Sequence, residues 1–462
     1  MSKIIPAHDP WGYILNDAMN HTSVTFLNEL TGREDYHCQL LWKFGQGNEE
    51  AQVQFLMAKG HGRSLSPSRL LKNSYSRIFS TLVITVHDKV VEIISLEAWM
   101  RGTQDRQASM LALISIEGRI PSEHPLRGIK AMADRELLGL SRVFNQMYSK
   151  VGRPSVAPEK ILKSLLLIAL YSVRSERQFC EQLGYNLLFR WFLDMELEEE
   201  SFDATVFSKN RERLMEHEVG RLFFEAVVGQ ARGAGLMSDD HFTVDGTLIE
   251  AWASLKSFRP KGEERSGDKD QGDPGNRWVD FHGEKRSNET HESSTDPDSL
   301  LLRKGPGKEA KLSYGAHALM ENRNGLLVDL EVSQATGSAE REAAERMLER
   351  QRQKGLKVKS LGADKGYDTD DFVGFLRGRK ITPHVAANTK RKGGSAIDGR
   401  TTRHTSYSVS QRIRKRVEEI FGWIKTVGGF RKTRFRGTER TQLAAWWVGA
   451  AYNLLRMAKL VA

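Results

Sequence analysis

The pattern of hydrophobic positions changes its period near Asp240, and the change divides the chain into two parts. From Ile120 to about Leu236, apolar residues recur at helical spacing between short turns, which predicts an all-helical region. From His241 onward, runs that alternate as strands do are interleaved with amphipathic helices. Strands that take turns with helices predict a mixed α/β sheet with helices packed on it.

The second part predicts a defined order of elements. Asn324-Gly325 stands between two alternating runs, which is a strong hairpin signal. Residues 256–311 are polar and rich in Gly and Pro, so we predict an insertion or mobile loop there. The other predicted elements are a strand over 241–247, hairpin strands over 312–320 and 326–332, a helix over 340–353, a strand over 357–364, a helix over 370–377 and a strand over 381–386.

A single helix is predicted from Ser410 to about the Gly428-Gly429 pair. At 100° per residue its apolar residues share one face, and Arg414, Glu418 and Lys425 gather at the border of that face. Glu419 is predicted to point into solvent. A carboxylate sheltered between two cations suits a metal ligand or a general base, and a surface ion-pair triplet is the alternative. The apolar residues are Ile413, Val417, Ile420, Phe421 and Ile424.

Two further acids are candidates for the same site. Asp245 and Asp364 each end a predicted strand and precede a glycine by one or two residues. Ligand sites of α/β sheets collect at such strand ends, so both acids can meet Glu418 at one edge of the sheet. Each Asp could instead be an ordinary turn residue, and Asp368, Asp370 and Asp371 could be mistaken for Asp364.

Three neighbouring carboxylates repel one another, and a divalent cation offsets that repulsion. Oxygen ligands alone favour Mg²⁺ or Mn²⁺ over zinc. Two such ions can activate a water or a 3′-hydroxyl and stabilise the leaving oxygen of a phosphate. The three acids therefore predict metal-dependent phosphoryl transfer with, we expect, two bound ions.

Charge is concentrated near the C-terminus. The net charge is +10, and residues 400–462 hold fourteen Lys and Arg against three Glu. Phe430, Phe435, Trp446 and Trp447 are interspersed among these cations, which favours a nucleic-acid surface over a merely solvated basic face. The predicted DNA contacts are Arg414, Lys425, Arg431, Lys432, Arg434 and Arg436.

The chain has two cysteines and no apolar run long enough for a membrane span, so we expect a cytoplasmic protein.

Three motifs of the chain resemble those of the DDE transposases of bacterial insertion sequences, in insertion-sequence family five. They are Val-Asp-Gly-Thr-Leu-Ile-Glu-Ala (244–251), Gly-Ala-Asp-Lys-Gly-Tyr-Asp (362–368) and an Arg-x3-Glu-x6-Lys signature at Arg414, Glu418 and Lys425. The Tyr that often stands three residues before that Arg is Gln411 here, which leaves the role of that Tyr in doubt.

The resemblance runs from about Met100 to the C-terminus, and it implies a domain order. It implies an RNase H-like catalytic core over 237–462, with Asp245, Asp364 and Glu418 as catalytic metal ligands. It also implies a helical domain over 100–236 that binds terminal inverted repeats, and cleavage and strand transfer at the ends of the element. Residues 1–99 stay unassigned, and we expect the natural start near Met100. The same resemblance implies a homodimer in the synaptic complex and target DNA as a second partner. It also implies a location at the bacterial nucleoid. The alternative is an inactive relic that only binds DNA.

Overall fold

The structure, a computed structural model, describes residues 115–149, 151, 154–262, 286–303, 305, 307–390 and 393–461, and the backbone of five strands between residues 22 and 92. The chain forms two compact units, Met1–Ala112 and Leu113–Ala462. In the first unit, the five strands form an antiparallel sheet in the order β3-β2-β1-β4-β5. Their bounds are Thr22–Phe26 (β1), Tyr36–Lys43 (β2), Gln52–Lys59 (β3), Val83–Val86 (β4) and Lys89–Glu92 (β5). The expected start near Met100 lies outside the described residues.

The second unit begins with helices, and its described residues before His241 contain no strand. Ser175 and Asn186 begin two of these helices as N-caps, because their side-chain oxygens accept hydrogen bonds from the backbone N–H groups of Gln178 and Phe189. The described residues of this region are therefore helices joined by turns. The helices are Ile116–Arg119 (α1), Leu126–Gly139 (α2), Ser141–Met147 (α3), Pro158–Leu170 (α4), Glu176–Tyr185 (α5), Leu187–Phe192 (α6), Thr205–Glu216 (α7) and Val219–Gly233 (α8).

A mixed sheet forms the centre of the second unit. Its strands are His241–Glu250 (β6), Leu300–Arg303 (β9), Ala310–Glu321 (β10), Leu326–Gln334 (β11), Ser360–Ala363 (β12) and Thr382–Val385 (β13). They lie in the order β11-β10-β6-β12-β13, and β9 also pairs with β10. β10 is antiparallel to both β11 and β6, whereas β12 is parallel to both β6 and β13. Gly325 has φ +68° in the turn between β10 and β11, as the Asn-Gly pair predicts.

Helices cover both faces of this sheet, so the predicted mixed sheet with flanking helices is confirmed. The helices of this part are Ala339–Gln353 (α9), Asp370–Gly378 (α10), Gly399–Thr402 (α11), Thr405–Ile413 (α12), Val417–Lys425 (α13) and Thr438–Val461 (α14). Alternate residues of each strand face opposite sides of the sheet. Leu319 packs with α9 and α10, and its neighbours Ala318 and Met320 pack with the helices on the other side.

The long helix α14 joins the sheet to the helical region. Trp447 is buried against Phe223 of α8, and Phe430 is buried in the same core. The prediction that these aromatic residues form part of a nucleic-acid surface is therefore wrong, because burial of their large apolar area outweighs the polar character of the surrounding segment. Asn453 of α14 also bonds with both backbone groups of Leu327, on the outer strand β11.

The single helix predicted from Ser410 is broken. The turn Arg414–Arg416 is a 3₁₀ helix that separates α12 from α13, and α13 ends at Lys425. Val417, Ile420, Phe421 and Ile424 are buried as predicted, while Ile413 is half-buried. A 3₁₀ turn has about three residues per turn and not 3.6, so a single helical wheel does not describe the two segments.

The polar insertion is ordered where the structure describes it. Phe258–Pro260 (β7) pairs with His291–Ser293 (β8), and β9 pairs with β10. Asp296 is buried and accepts hydrogen bonds from the Tyr314 hydroxyl (2.6 Å) and the Gly437 N–H (3.0 Å). The prediction of a loop is wrong for these residues, because their polar groups find partners inside the fold. Residues 263–285 lie outside the described part.

Candidate active site

Asp245 lies within β6, whereas the sequence predicted that it would end this strand. The strand continues to Glu250 because β10 is long enough to pair with it throughout, and Asp245 stands opposite Ala318 of β10. The side chain of Asp245 is half-buried, and its Oδ1 accepts a hydrogen bond from the Gly246 N–H at 2.8 Å. The acid is thus held on a rigid central strand.

Asp364 lies beside Asp245 because β12 is parallel to β6. Thr243 pairs with Gly362, so two residues further along the strand directions the register brings Asp245 next to Asp364. Asp364 follows the last residue of β12, as predicted, and its Oδ1 accepts a hydrogen bond from the Gly366 N–H at 2.7 Å.

Glu418 lies in the first turn of α13, which runs along β6. Lys425 of the same helix donates a hydrogen bond to Thr247 Oγ1 at 2.6 Å. Glu418 and Glu419 are both exposed. The prediction that Glu418 is sheltered between two cations, while Glu419 points into solvent, is therefore wrong for Glu418. Their charges nonetheless act in different places: Glu418 raises the pKa of Asp245, whereas Glu419 raises the pKa of Tyr452 on α14.

The electrostatics of the site are those of an acidic cluster. Burial, together with the charges of Asp364, Glu340 and Glu418, raises the pKa of Asp245 to about 7, although the hydrogen bond from the Gly246 N–H acts in the opposite direction. Carboxylate oxygens are the donors that a hard divalent cation prefers, so the residues fit such an ion in kind. Within the described part of the chain, however, no three acids, histidines or cysteines stand close enough to hold a metal. An ion shared by all three acids therefore requires their side chains to come closer together.

Glu340 and Tyr367 belong to the same neighbourhood, and the sequence did not predict either of them. A Cβ atom at position 246 would lie 2.8 Å from Oε1 of Glu340, so that carboxylate rests on the backbone beside Asp245. The Tyr367 side chain is fully buried, and the charges of Glu340, Asp245 and Asp364 contribute to its raised pKa. Tyr367 lies in the quoted motif of 362–368, but Glu340 carries no signal beyond its place at a helix start.

The acids that could be mistaken for Asp364 have other surroundings. Asp368 is buried and accepts hydrogen bonds from the N–H groups of Asn388 (2.6 Å) and Ala396 (2.9 Å) and from Ser395 Oγ (2.6 Å). Asp370 and Asp371 lie in the first turn of α10, where they face the positive end of that helix. These contacts support Asp364 as the site residue.

The cations around the site differ in their surroundings. Arg414 is half-buried, and its Nε donates to Gln411 Oε1 at 3.0 Å. Gln411 in turn donates to the His384 carbonyl of β13 at 2.5 Å, so it ties Arg414 to the sheet. Gly362 permits this close packing, because a Cβ there would lie 3.2 Å from the Cβ of Arg414.

The later basic residues follow a segment that pairs with the end of β6. Glu250 bonds with the backbone of Arg431 and of Thr433, which fixes the segment on the strand that carries Asp245. Arg431, Lys432 and Arg436 are exposed. The Arg434 guanidinium is largely buried and donates to the Val173 carbonyl at 2.8 Å, so it connects the segment to the helical region.

Two domain families match the chain. A transposase domain of otherwise unassigned function (DUF772) matches residues 114–213, and the transposase DDE domain matches residues 283–454, which include Asp364 and Glu418 but not Asp245. No curated protein sequence matches the chain.

Solved structures of transposases are also similar to the chain at a low level. A piggyBac transposase synaptic complex with hairpin DNA has 10% sequence identity and a TM-score of 0.34, over 72% of this chain and 73% of that chain. A Mos1 transposase paired-end complex has 11% identity and a TM-score of 0.17, over 68% of this chain and 80% of that chain. Both TM-scores are below 0.5, which is too low to establish a shared fold.

The two domain matches, together with the mixed sheet and its acids, define a DDE transposase of an insertion element. It is an enzyme that cleaves DNA and transfers the cut strands. Among the described residues, no helix combines the length and the apolar character that a membrane span needs.

Proposed function

We propose that Asp245, Asp364 and Glu418 are the catalytic acids of this transposase and that they cleave and join DNA at the terminal inverted repeats of an insertion sequence of family five. The observation that carries the proposal is the parallel pairing of β6 with β12, which brings two of these acids side by side. The effect of the Glu418 charge on Asp245 supports the third assignment.

We infer that these three carboxylates hold Mg²⁺ or Mn²⁺, with two ions as the expected number. When bound, the metal neutralises the acids and supplies an activated water or 3′-hydroxyl for attack on a phosphate. The carboxylates of Asp245 and Asp364 each accept a hydrogen bond from a neighbouring backbone N–H, which orients them on the sheet. Lys425 and Arg414 flank that acid and are positioned to contact a phosphate near it.

We infer that an exposed basic surface guides the DNA towards the acids. Arg431, Lys432 and Arg436 form it, and the backbone bonds to Glu250 fix the segment that carries them on β6. Arg434 is excluded from this surface because its guanidinium is engaged with Val173. Since such contacts displace counterions, binding should weaken steeply as salt increases.

We propose further that residues 100–236 bind the terminal repeats and that the catalytic region, 237–462, is RNase H-like. The strand order supports the second statement: the first strand is central, its hairpin lies on one side and the parallel strands on the other. Two ends have to be brought together for joining, so we expect a homodimer that acts at the bacterial nucleoid and also binds target DNA.

Cleavage of labelled terminal-repeat DNA with Mg²⁺ or Mn²⁺ tests this function. Wild type should nick at the repeat end only with metal. Asp364→Asn should lose at least about a thousandfold in rate while it still binds the DNA, and Asp371→Asn, a matched change on α10, should cleave normally. DNA binding without cleavage by wild type would favour an inactive relic. Equal loss in both variants would contradict the assignment of Asp364.

A further inference from the structure

Glu340 lies at the point where α9 meets the strand that carries Asp245. A Cβ atom at position 246 would lie 2.8 Å from Oε1, 3.0 Å from Cγ and 3.1 Å from Cδ of Glu340. The carboxylate therefore occupies the space above Gly246, and a larger residue at 246 would displace it. Arg341 donates to the Gly366 carbonyl at 3.2 Å, which fixes the start of α9 beside the turn that follows Asp364.

The position is electrostatically unfavourable for a carboxylate. Partial burial and the charge of Asp364 raise the pKa of Glu340, and the charge of Glu340 in turn raises the pKa of Asp245. A place in the first turn of a helix favours an acid there, but Glu342 shares that place and lies 3.9 Å from the Arg346 guanidinium instead. The helix alone does not explain why Glu340 faces two other acids.

A second observation points to a ligand at the same place. The Tyr367 side chain is fully buried, and its hydroxyl has no hydrogen-bond partner among the described residues. Besides burial, the charges of Glu340, Asp245 and Asp364 raise the pKa of this hydroxyl, so these carboxylates lie near it. A buried donor without an acceptor is rare, and a shift of one carboxylate on ion binding would provide the acceptor.

We propose that Glu340 is a fourth carboxylate of the metal site and that Tyr367 is a positioning residue which orients Glu340 by a hydrogen bond when the metal is bound. The inference rests on the proposed function of Asp245 and Asp364. With Glu340 included, the proposed site also takes in the start of α9. A divalent cation would then have carboxylate ligands from β6, the end of β12, α9 and α13. Glu340 would supply part of the negative charge that the exposed Glu418 contributes only weakly to the ion-free site.

Titration of the full chain with MnCl₂ in the absence of DNA, followed by calorimetry, tests the proposal. Glu340→Gln should weaken Mn²⁺ binding about tenfold, the scale of a lost supporting ligand. Glu342→Gln, two residues away in the same turn, should bind as wild type does. In a chelator, Glu340→Gln should melt at a higher temperature than wild type, because it removes a repelling charge.

Tyr367→Phe separates positioning from packing. The variant should melt no lower than wild type without metal, yet bind Mn²⁺ a few-fold more weakly. If the hydroxyl acts through Glu340, this loss should disappear in the Glu340→Gln background, whereas independent losses would contradict the role given to Tyr367.

Asp364→Asn distinguishes the proposed active site from the proposed fourth carboxylate. If it weakens Mn²⁺ binding while Glu340→Gln binds as wild type does, the fourth carboxylate is refuted and the proposed active site stands. If Asp364→Asn also binds Mn²⁺ with wild-type affinity, both are refuted.

Discussion

Asp245 should destabilise the metal-free protein at neutral pH, and Asp245→Asn isolates this effect. The Asn side chain keeps the size of the Asp and the oxygen that accepts from the Gly246 N–H. It removes only the negative charge that faces Asp364, Glu340 and Glu418. The substitution therefore tests the electrostatics of the site without removing its packing.

The magnitude follows from the pKa of Asp245, which is raised from 3.8 to about 7 in the folded protein. Between these two values the folded protein binds a proton that the unfolded chain releases, so stability falls as pH rises through this window. The full shift corresponds to about 4 kcal/mol, and we expect about 2 kcal/mol because the carboxyl keeps some contact with water. The loss is complete above the folded-state pKa.

Urea unfolding in a chelator at pH 5, 6, 7 and 8 measures the effect. Asp245→Asn should be more stable than wild type at pH 8, and the difference should shrink steadily towards pH 5. Asp371→Asn serves as the control, because Asp371 is exposed on α10. A variant that is less stable than wild type at pH 8, or a difference that does not depend on pH, would refute the reasoning. Added Mn²⁺ should reverse the order, since it stabilises only the charged site.

Two further predictions concern how the fold holds the site. Asn453→Ala should lower the free energy of unfolding by about 2–4 kcal/mol, because both backbone groups of Leu327 lose a buried partner. The side-chain amide of Gln442 is half-buried and bonds to the backbone of Val332 and Leu330. Gln442→Ala should lower the free energy of unfolding less, because water can replace the lost amide. Comparable losses in urea unfolding would contradict this. Asp368→Asn should release the segment between Asn388 and Ala396, so that trypsin cleaves after Lys390 faster than in wild type; unchanged cleavage would show that the carboxylate does not hold the segment.

Local periodicity predicted most elements of the mixed sheet and the helices before it. The Asn324-Gly325 hairpin, α9, β12 and α10 all lie within a few residues of their predicted bounds. These elements are specified by neighbours in the sequence: a turn that needs positive φ, or an apolar face at helical spacing. The helix predicted from Ser410 is the exception, because a 3₁₀ turn interrupts it.

Features that depend on distant partners were not predictable in this way. Asp245 lies inside a strand because β10 pairs with it, and the polar flanks of the insertion are ordered because groups such as Tyr314 and Gly437 satisfy Asp296. Phe430 and Trp447 of the basic segment are core residues because α14 packs against α8 and the sheet. None of these partners is near in sequence.

The sequence by itself determined the three motif acids, the location of the basic charge and the alternation of strands and helices, because each depends on residue type and spacing alone. Only the tertiary structure decided that the strands carrying Asp245 and leading to Asp364 are adjacent and parallel, that Glu418 is exposed, and that Glu340 and Tyr367 lie near these acids. Proximity in space depends on strand order and register, and these are set by packing between segments that lie far apart along the chain.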